Sequence, residues 1–479
     1  MNFGVVLKVL GSLLLFEAAL LAFPLGIAWY YQEDIMPFIL SILALLVVAL
    51  PMVKFFKSSG RLRAKEGLTI VAGGWVLVSF FGALPFYISG SIPSFVDAFF
   101  ETVSGLTTTG ATIIDDIEVL PKGILFWRSL THWLGGMGIL VLTLAILPAI
   151  GVGGFQIFKA ESPGPVADKI TPKMKSTAKI LYTVYLGMTV LQTSLLYMAG
   201  LSLYDALVHT FGTVGTGGFS TRNDSIGAFN VNVQIIIAVF MIASGVNFSL
   251  YYDIYKGRFK QVIKNSELKL YLSIILVAII LLTISLNGTV YQSLTESIRY
   301  AGFQVGAIIT TTGYDTADFD AWPTFSKAIL FSLMFVGGSA GSTAGGIKVI
   351  RLLILGKLVK REIQKILHPN AYIPVKINNR SISPDVTASV TSFFFLYLLL
   401  LVAGTLLISL EGIGLVSSFS SVAASLGNIG PGFELVGPAQ TYSHFSAASK
   451  MLFSLLMLFG RLELFTVFIL LMPSFWKDK

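Results

Sequence analysis

Ten long apolar runs decide what this chain can fold into. They lie at roughly 4–30, 36–56, 68–90, 124–150, 179–200, 232–254, 268–287, 323–358 (broken), 386–410 and 446–473. Each reaches the length of ~20 residues that carries a helix across a bilayer. Four shorter apolar stretches, roughly 94–106, 203–214, 294–308 and 414–426, fall short of that length and fit re-entrant helices. Of the 479 residues, 54% are hydrophobic and 12% charged, against about 25% charged in a soluble domain. Such a chain belongs in a membrane. It has no cysteine, which excludes disulfides and thiol chemistry. The opening run, MNFGVVLKVLGSLLLFEAALLAFPLGIAWYY, is too long and too apolar for a cleaved leader. It is expected as a retained first span.

The basic residues give the direction. Of 33 Lys and Arg, 26 lie at the termini or in four alternate loops: Lys54 to Lys65, Lys159 to Lys179, Lys256 to Lys269 and Lys348 to Arg380. The intervening loops are acidic or neutral, as at Glu33-Asp34, Asp115-Asp116 and Asp315 to Asp320. The positive-inside rule then puts both termini in the cytoplasm. The +8 net charge is read as topology, so no nucleic-acid partner is expected.

After two spans (1–64), the chain repeats one plan four times: span, short helix, glycine-containing tip, span. The units are 65–155, 156–260, 261–366 and 367–479. The expected fold is an all-α polytopic membrane protein with four such repeats around a pseudo-fourfold pore. The tips read Thr108-Thr109-Gly110-Ala111-Thr112, Thr216-Gly217-Gly218-Phe219-Ser220, Thr311-Thr312-Gly313-Tyr314-Asp315 and Asn428-Ile429-Gly430-Pro431-Gly432. Asp97 and Asp205 both lie thirteen residues before a tip glycine, and Ser104, Gly212, Ala307 and Ala424 lie six before. Each following span carries a small pair or its variant: Gly135-Gly136, Ser244-Gly245, Gly337-Gly338 and Gly460-Arg461. Four aligned tips with matching flanks mark an internal repeat.

A tip of threonine and glycine is rich in exposed backbone. At membrane depth that is tolerated only inside protein or along a water-filled path. Glycine admits left-handed φ/ψ values that swing successive carbonyls to one side. Four tips around one axis would stack rings of carbonyl oxygens that replace a monovalent cation's hydration shell, and threonine hydroxyls would complete the lowest ring. Ca²⁺ or Mg²⁺ would call for carboxylates instead.

Two further features stand near the tips. Gly337-Gly338-Ser339-Ala340-Gly341-Ser342-Thr343-Ala344-Gly345-Gly346 interrupts the eighth span. Glycine costs about 1 kcal/mol per residue in a helix relative to alanine, so the helix melts there, or else the segment serves close helix packing. A phosphate-binding loop is rejected, because Ile347 separates the glycines from Lys348. Arg461 sits mid-membrane in the last span, where a cation costs at least about 2.5 kcal/mol without water or a partner. It either faces the axis or pairs with Glu463 or Asp253. Asp97, Glu101, Asp205, His209, Arg128 and His132 are read as braces of the tips, with a proton relay as the alternative. Asp115, Asp116, Asp315, Asp318 and Asp320 either concentrate cations at the mouth or form ordinary wet loops. An intramembrane enzyme is set aside: the four histidines, His132, His209, His368 and His444, lack metal-ligand spacing.

TTGYD and NIGPG resemble the T-V-G-Y-G filter of potassium channels. With SGLTTTGAT, GTGGFSTRN and FGRLELFT, nearly the whole chain resembles the Trk/Ktr/HKT superfamily of cation transporters, closest to its bacterial Trk-type potassium-uptake subunits. The resemblance implies K⁺ as the transported ion, no organic cofactor, and a filter of Thr108, Thr109, Gly110, Thr216, Gly217, Gly218, Thr311, Thr312, Gly313, Asn428, Ile429 and Gly430. In this superfamily a glycine at the place of Gly110 goes with potassium preference and a serine with sodium. Gly217, Asn428 and Ile429 depart from the pattern and make the filter asymmetric. The resemblance further implies a gate of Gly337, Gly338, Ser339, Gly341, Gly345, Gly346 and Arg461. It also implies a homodimer in the bacterial cytoplasmic membrane, with a TrkA-like cytosolic nucleotide-binding subunit as partner. The alternatives are a K⁺ symporter coupled to H⁺ or Na⁺, or a less selective K⁺/Na⁺ transporter. The basic helix from Lys348 to His368 would touch that subunit or anionic membrane lipid.

Overall fold

The computed structural model describes residues 1–56, 63–138, 174–371, 373–378 and 380–477. The second half of the expected 124–150 span, most of the Lys159 to Lys179 loop, part of the Lys54 to Lys65 loop and the 155/156 boundary lie outside them. Among the described residues six helices are long and apolar enough to cross a bilayer: Phe3–Tyr30, Met36–Phe55, Ala64–Ile88, Ala178–Met198, Ser266–Leu286 and Pro384–Ser409. They match the first, second, third, fifth, seventh and ninth expected runs.

The remaining runs differ from expectation. Only the eighth was expected to break, yet the sixth and tenth break as well. The sixth is a pair, Val231–Ser244 and Phe248–Tyr255, bent by 93°. The eighth is Thr324–Leu333 and Val349–Leu367, with the glycine segment between them. The tenth is Ala447–Arg461 and Phe465–Leu471. The fourth, Lys122–Gly136, ends at its glycine pair. The interruptions begin at or shortly before the small residues of each unit, except in the tenth run, where Glu463 and Leu464 just beyond Arg461 take positive φ. Glycine, and more weakly serine, lowers helix propensity there, and an apolar run by itself does not reveal that loss.

The four short helices form as expected, at Phe95–Leu106, Leu203–Val214, Leu294–Ile309 and Leu415–Gly427. The first two start at Ser94 and Ser202, whose hydroxyls accept from the Asp97 and Asp205 backbone N–H groups. The recurring aspartate is thus the third residue of each helix, where a carboxylate favours the positive helix end.

Each short helix is cradled. Phe95–Leu106 packs on Ala64–Gly82, Lys122–Gly136 and Ala447–Arg461. Leu203–Val214 packs on Met174–Met198, Lys122–Gly136 and Val231–Ser244. Leu294–Ile309 packs on Ser266–Leu286, Val231–Ser244 and Thr324–Leu333. Leu415–Gly427 packs on Pro384–Ser409 and Ala447–Arg461, and its Phe419 ring lies 5.6 Å from that of Phe331. Contacts therefore pass from unit to unit and return to the first. Glycine makes the closest of them: a Cβ on Gly135 would overlap the Leu106 carbonyl oxygen, an approach that only small residues permit.

This packing yields a paired expectation. Overpacking a tight contact costs about 1–3 kcal/mol, so Gly135→Ala lowers the melting temperature of the detergent-solubilised protein by several degrees. Gly187→Ala, inside the Met174–Met198 helix with nothing within 4 Å of the new Cβ, does not lower it, because alanine is the better helix former. Thermal unfolding followed by tryptophan fluorescence checks this; equal responses would remove the close seating of the Gly135 helix.

Candidate functional site

The four short helices end in the same cap. Thr108, Thr216, Thr311 and Asn428 all take the left-handed conformation, with φ of 55°, 58°, 56° and 53°. The next residue then turns its N–H back over the helix end. Thr109 N donates to Ser104 O at 2.8 Å, Gly217 N to Gly212 O at 2.8 Å, Thr312 N to Ala307 O at 2.9 Å, and Ile429 N to Ala424 O at 2.9 Å. A second bond, back over three residues, accompanies each, as from Thr108 N to Gly105 O at 3.1 Å. This is the Schellman motif, which usually puts glycine or asparagine at the left-handed position. Asn428 fits that rule. Three threonines do not, since β-branched residues at positive φ are outliers that cost about 1–3 kcal/mol each. The column of small residues six before each tip glycine supplies the accepting carbonyls.

Two residues after the cap, Gly110, Gly218, Gly313 and Gly430 again take positive φ, from 74° to 95°. A Cβ on Gly110 would overlap the Gly217 carbonyl oxygen, one on Gly218 that of Thr312, and one on Gly313 that of Ile429. One on Gly430 would meet that of Thr109 at 2.6 Å. Each glycine thus lies against the carbonyl of the next tip, and the last returns to the first. All twelve tip residues named from the sequence come together here. The hydroxyls of Thr109 and Thr312 pair with those of Thr107 and Thr310 at 2.8 and 2.7 Å. Asn428 Nδ2 donates to Thr109 Oγ1 at 3.0 Å and to Met457 O at 2.9 Å.

Charged groups brace this ring from behind. Arg128 Nε donates to Glu101 Oε1 at 2.7 Å, with both side chains buried. Glu101 in turn accepts from Thr112 Oγ1 and Ile113 N of the first tip, while Arg128 Nη1 donates to Ser220 O of the second. Breaking such a buried pair costs about 3–5 kcal/mol. His209 contacts Ser220 Oγ at 3.0 Å, Asp205 accepts from Thr221, and Tyr314 Oη donates to Phe219 O. Asp97 meets Lys450 of the last unit at 2.8 Å, a contact that no sequence spacing marked. Outside the tips the loops also clasp their neighbours in order. Asn223 Nδ2 donates to Asp116, Ile226 N to Asp315 O, Glu434 N to Asp320 and Tyr442 N to Thr112 O. Burial, with Asp224 and Asp318 nearby, pushes the Asp315 carboxyl up to about 8. Among the described residues no three His, Cys, Asp or Glu cluster as metal ligands, so oxygen donors for a cation would come from backbone and hydroxyl groups.

The glycine segment is a folded loop. Gly337, Gly341 and Gly346 take positive φ. Val349 N donates to Gly338 O, and Gly337 lies against Gly345 and Gly346. Ser339 N donates to Gly245 O and Ala340 N to Glu267 Oε1. Gly345 N donates to Thr311 Oγ1 at 2.6 Å, so the loop touches the third tip directly. Buried Lys348 donates to Ala344 O. Arg461 donates to Thr343 O of the loop at 2.9 Å and to Gly135 O and Gly136 O at 2.5 and 2.8 Å. The two carboxylates considered for it pair elsewhere: Glu463 with Arg351 and Asp253 with Arg258. Glu267 carries no signal in the sequence, and Lys348 stands out there only as the lysine of a rejected phosphate-binding loop and the start of a basic helix; their position beside the loop reveals them.

Known proteins resemble this arrangement along its whole length. Residues 36–477 match the family model TrkH, described as a cation transport protein. The chain is 40% identical over 427 residues to the Trk system potassium uptake protein TrkH of Escherichia coli K12, with 88% of each chain covered. It is 36% identical over 470 residues to TrkG of the same organism, with 95% of each covered. The crystal structure of the potassium transporter TrkH from Vibrio parahaemolyticus superposes with a TM-score of 0.89 at 35% identity, covering 100% of both chains. A family match over more than nine-tenths of the length, joined to these identities and this shared fold, places the chain in the TrkH family of Trk-system potassium-uptake proteins, which are membrane ion transporters and not enzymes.

Proposed function

We propose that the chain takes up K⁺ across the bacterial cytoplasmic membrane through a channel-like pore. One observation carries this reading: each tip glycine packs on the carbonyl of the following tip, cyclically, through all four. The repeats 65–155, 156–260, 261–366 and 367–479 then surround a single axis, behind the accessory spans of 1–64. Thr108 to Gly110, Thr216 to Gly218, Thr311 to Gly313 and Asn428 to Gly430 line the narrowest part. Their backbone oxygens replace the water shell of a monovalent ion and hold no full negative charge that would trap it. The C-terminal ends of the four short helices add partial negative charge.

The loop from Gly337 to Gly346 is the gate beneath this filter. Its hydrogen bond to Thr311 and its contact with Arg461 support that role. Arg461 is the fixed cation below the filter, held on three carbonyls, and it lowers cation occupancy there. The basic loops orient both termini toward the cytoplasm. The chain works as a homodimer with a TrkA-like nucleotide-binding subunit, as the resemblance implies.

Two measurements test this. Expression in a bacterium lacking potassium uptake restores growth at low K⁺, and Gly110→Ser shifts the preference toward Na⁺; growth untouched by that change would contradict the filter assignment. Arg461→Ala raises K⁺ flux in proteoliposomes, because it removes the repulsive charge. Unchanged flux at normal expression would reduce Arg461 to a packing role.

A further inference from the structure

The second tip lacks a side chain that the other three possess. Thr109, Thr312 and Ile429 precede their tip glycines, but Gly217 stands in the same place. The space is not empty. A Cβ on Gly217 would overlap Cγ, Nδ1 and Cδ2 of His132. The imidazole of the first unit therefore occupies the volume in which the second tip's own side chain would lie.

The repeat sharpens the point. His132 lies three residues before the small pair Gly135-Gly136. Counting three back from Ser244-Gly245, Gly337-Gly338 and Gly460-Arg461 gives Met241, Met334 and Met457. All four side chains are buried. Three units put an unbranched apolar chain at this place, which adapts to whatever it meets. The unit that faces the side-chain-free tip puts a ring with two hydrogen-bonding nitrogens there.

Both nitrogens are used. Nδ1 lies 2.7 Å from Gly105 O, which can only accept, so Nδ1 carries the proton. Nε2 accepts from Phe219 N of the second tip at 3.2 Å. The imidazole also lies against the Phe219 ring, with centroids 4.0 Å apart. The neutral ring thus links the first short helix to the residue that follows Gly218. The titratable or charged neighbours are Arg128, one turn earlier on the same helix and bonded to Glu101, and Tyr314, which donates to Phe219 O.

We infer that His132 is the positioning residue of the second tip: it replaces from outside the side chain missing at Gly217 and fixes the backbone at Phe219. This inference rests on the tips being the ion filter. Without the ring, the Phe219 N–H is a buried donor with no acceptor, and Gly217 gains conformations that the other tips do not have. Selectivity then falls before folding does.

The test measures K⁺ over Na⁺ permeability from reversal potentials of the full-length protein in planar bilayers, with flux and melting temperature alongside. His132→Met, the residue of the other three units, lowers the permeability ratio about tenfold, the equivalent of one unsatisfied buried donor. His132→Gln retains it, because the amide donates to Gly105 O and accepts from Phe219 N. Gly217→Val alone loses flux by steric overlap with the ring. The exchange pair His132→Met with Gly217→Val regains the flux that Gly217→Val loses, because no ring overlaps the new side chain, but not the ratio, because the Phe219 N–H still lacks an acceptor. If His132→Met leaves the ratio unchanged, or Gly217→Val alone leaves flux unchanged, while Gly110→Ser shifts the ratio, the inference fails and the filter stands. If Gly110→Ser shifts nothing either, the filter reading itself fails. Should His132→Met not fold, the His132→Gln and Gly217→Val arms decide: a loss of selectivity in the former or unaltered flux in the latter overturns it.

Discussion

Four helices end inside the protein, and each must satisfy its last carbonyls there. The cap at Thr108, Thr216, Thr311 and Asn428 answers this constraint. One residue in the left-handed conformation sends the next N–H back onto the helix, and the following glycine reverses the path again. The carbonyl of the intervening residue is left for the neighbouring tip. Capping a helix and building the ring of tips are thus one act of backbone geometry, and the cradling helices serve to hold it.

The conformational strain is local and matched by local support. Three threonines sit at positive φ, and two of them are supported through their own hydroxyls. Thr311 accepts the N–H of Gly345. Thr216 donates to Gly215 O. Thr108 Oγ1 is buried without a hydrogen-bond partner among the described residues; beside it, the hydroxyl of Thr109 meets that of Thr107 and the amide of Asn428. The loop residue Gly345 thus supports one strained threonine, and this hydrogen bond joins the loop to the third tip. The Glu101–Arg128 pair does the same between the first two tips, through charge instead of a hydroxyl.

Much of this was legible. The short helices fall within a residue or so of the limits set by apolar length, because a run too short to cross is itself a signal. The tips were legible because glycine and threonine together fit neither strand nor turn. What escaped were facts of three-dimensional juxtaposition. The bend between Ser244 and Asn247 and the break after Arg461 leave the apolar pattern intact, so composition hides them. Lys450 beside Asp97 joins residues at opposite ends of the chain. Glu463 stands two residues from Arg461 in sequence, yet it meets Arg351, whose guanidinium also lies over Phe393. The absence of a side chain at Gly217 was visible as a departure, but its cause lies 85 positions away in His132.

The ring closes within one polypeptide, and that has a genetic consequence. In an assembly of four identical subunits a single codon change appears on every side at once. Here each quadrant is encoded separately, so Ala111, Phe219, Tyr314 and Pro431 follow the four glycines without any demand for symmetry. Mutation explores such a structure in quarter steps. A variant that four copies together would render lethal survives in one, and the lineage can diversify side by side while the shared geometry of the backbone stays the same.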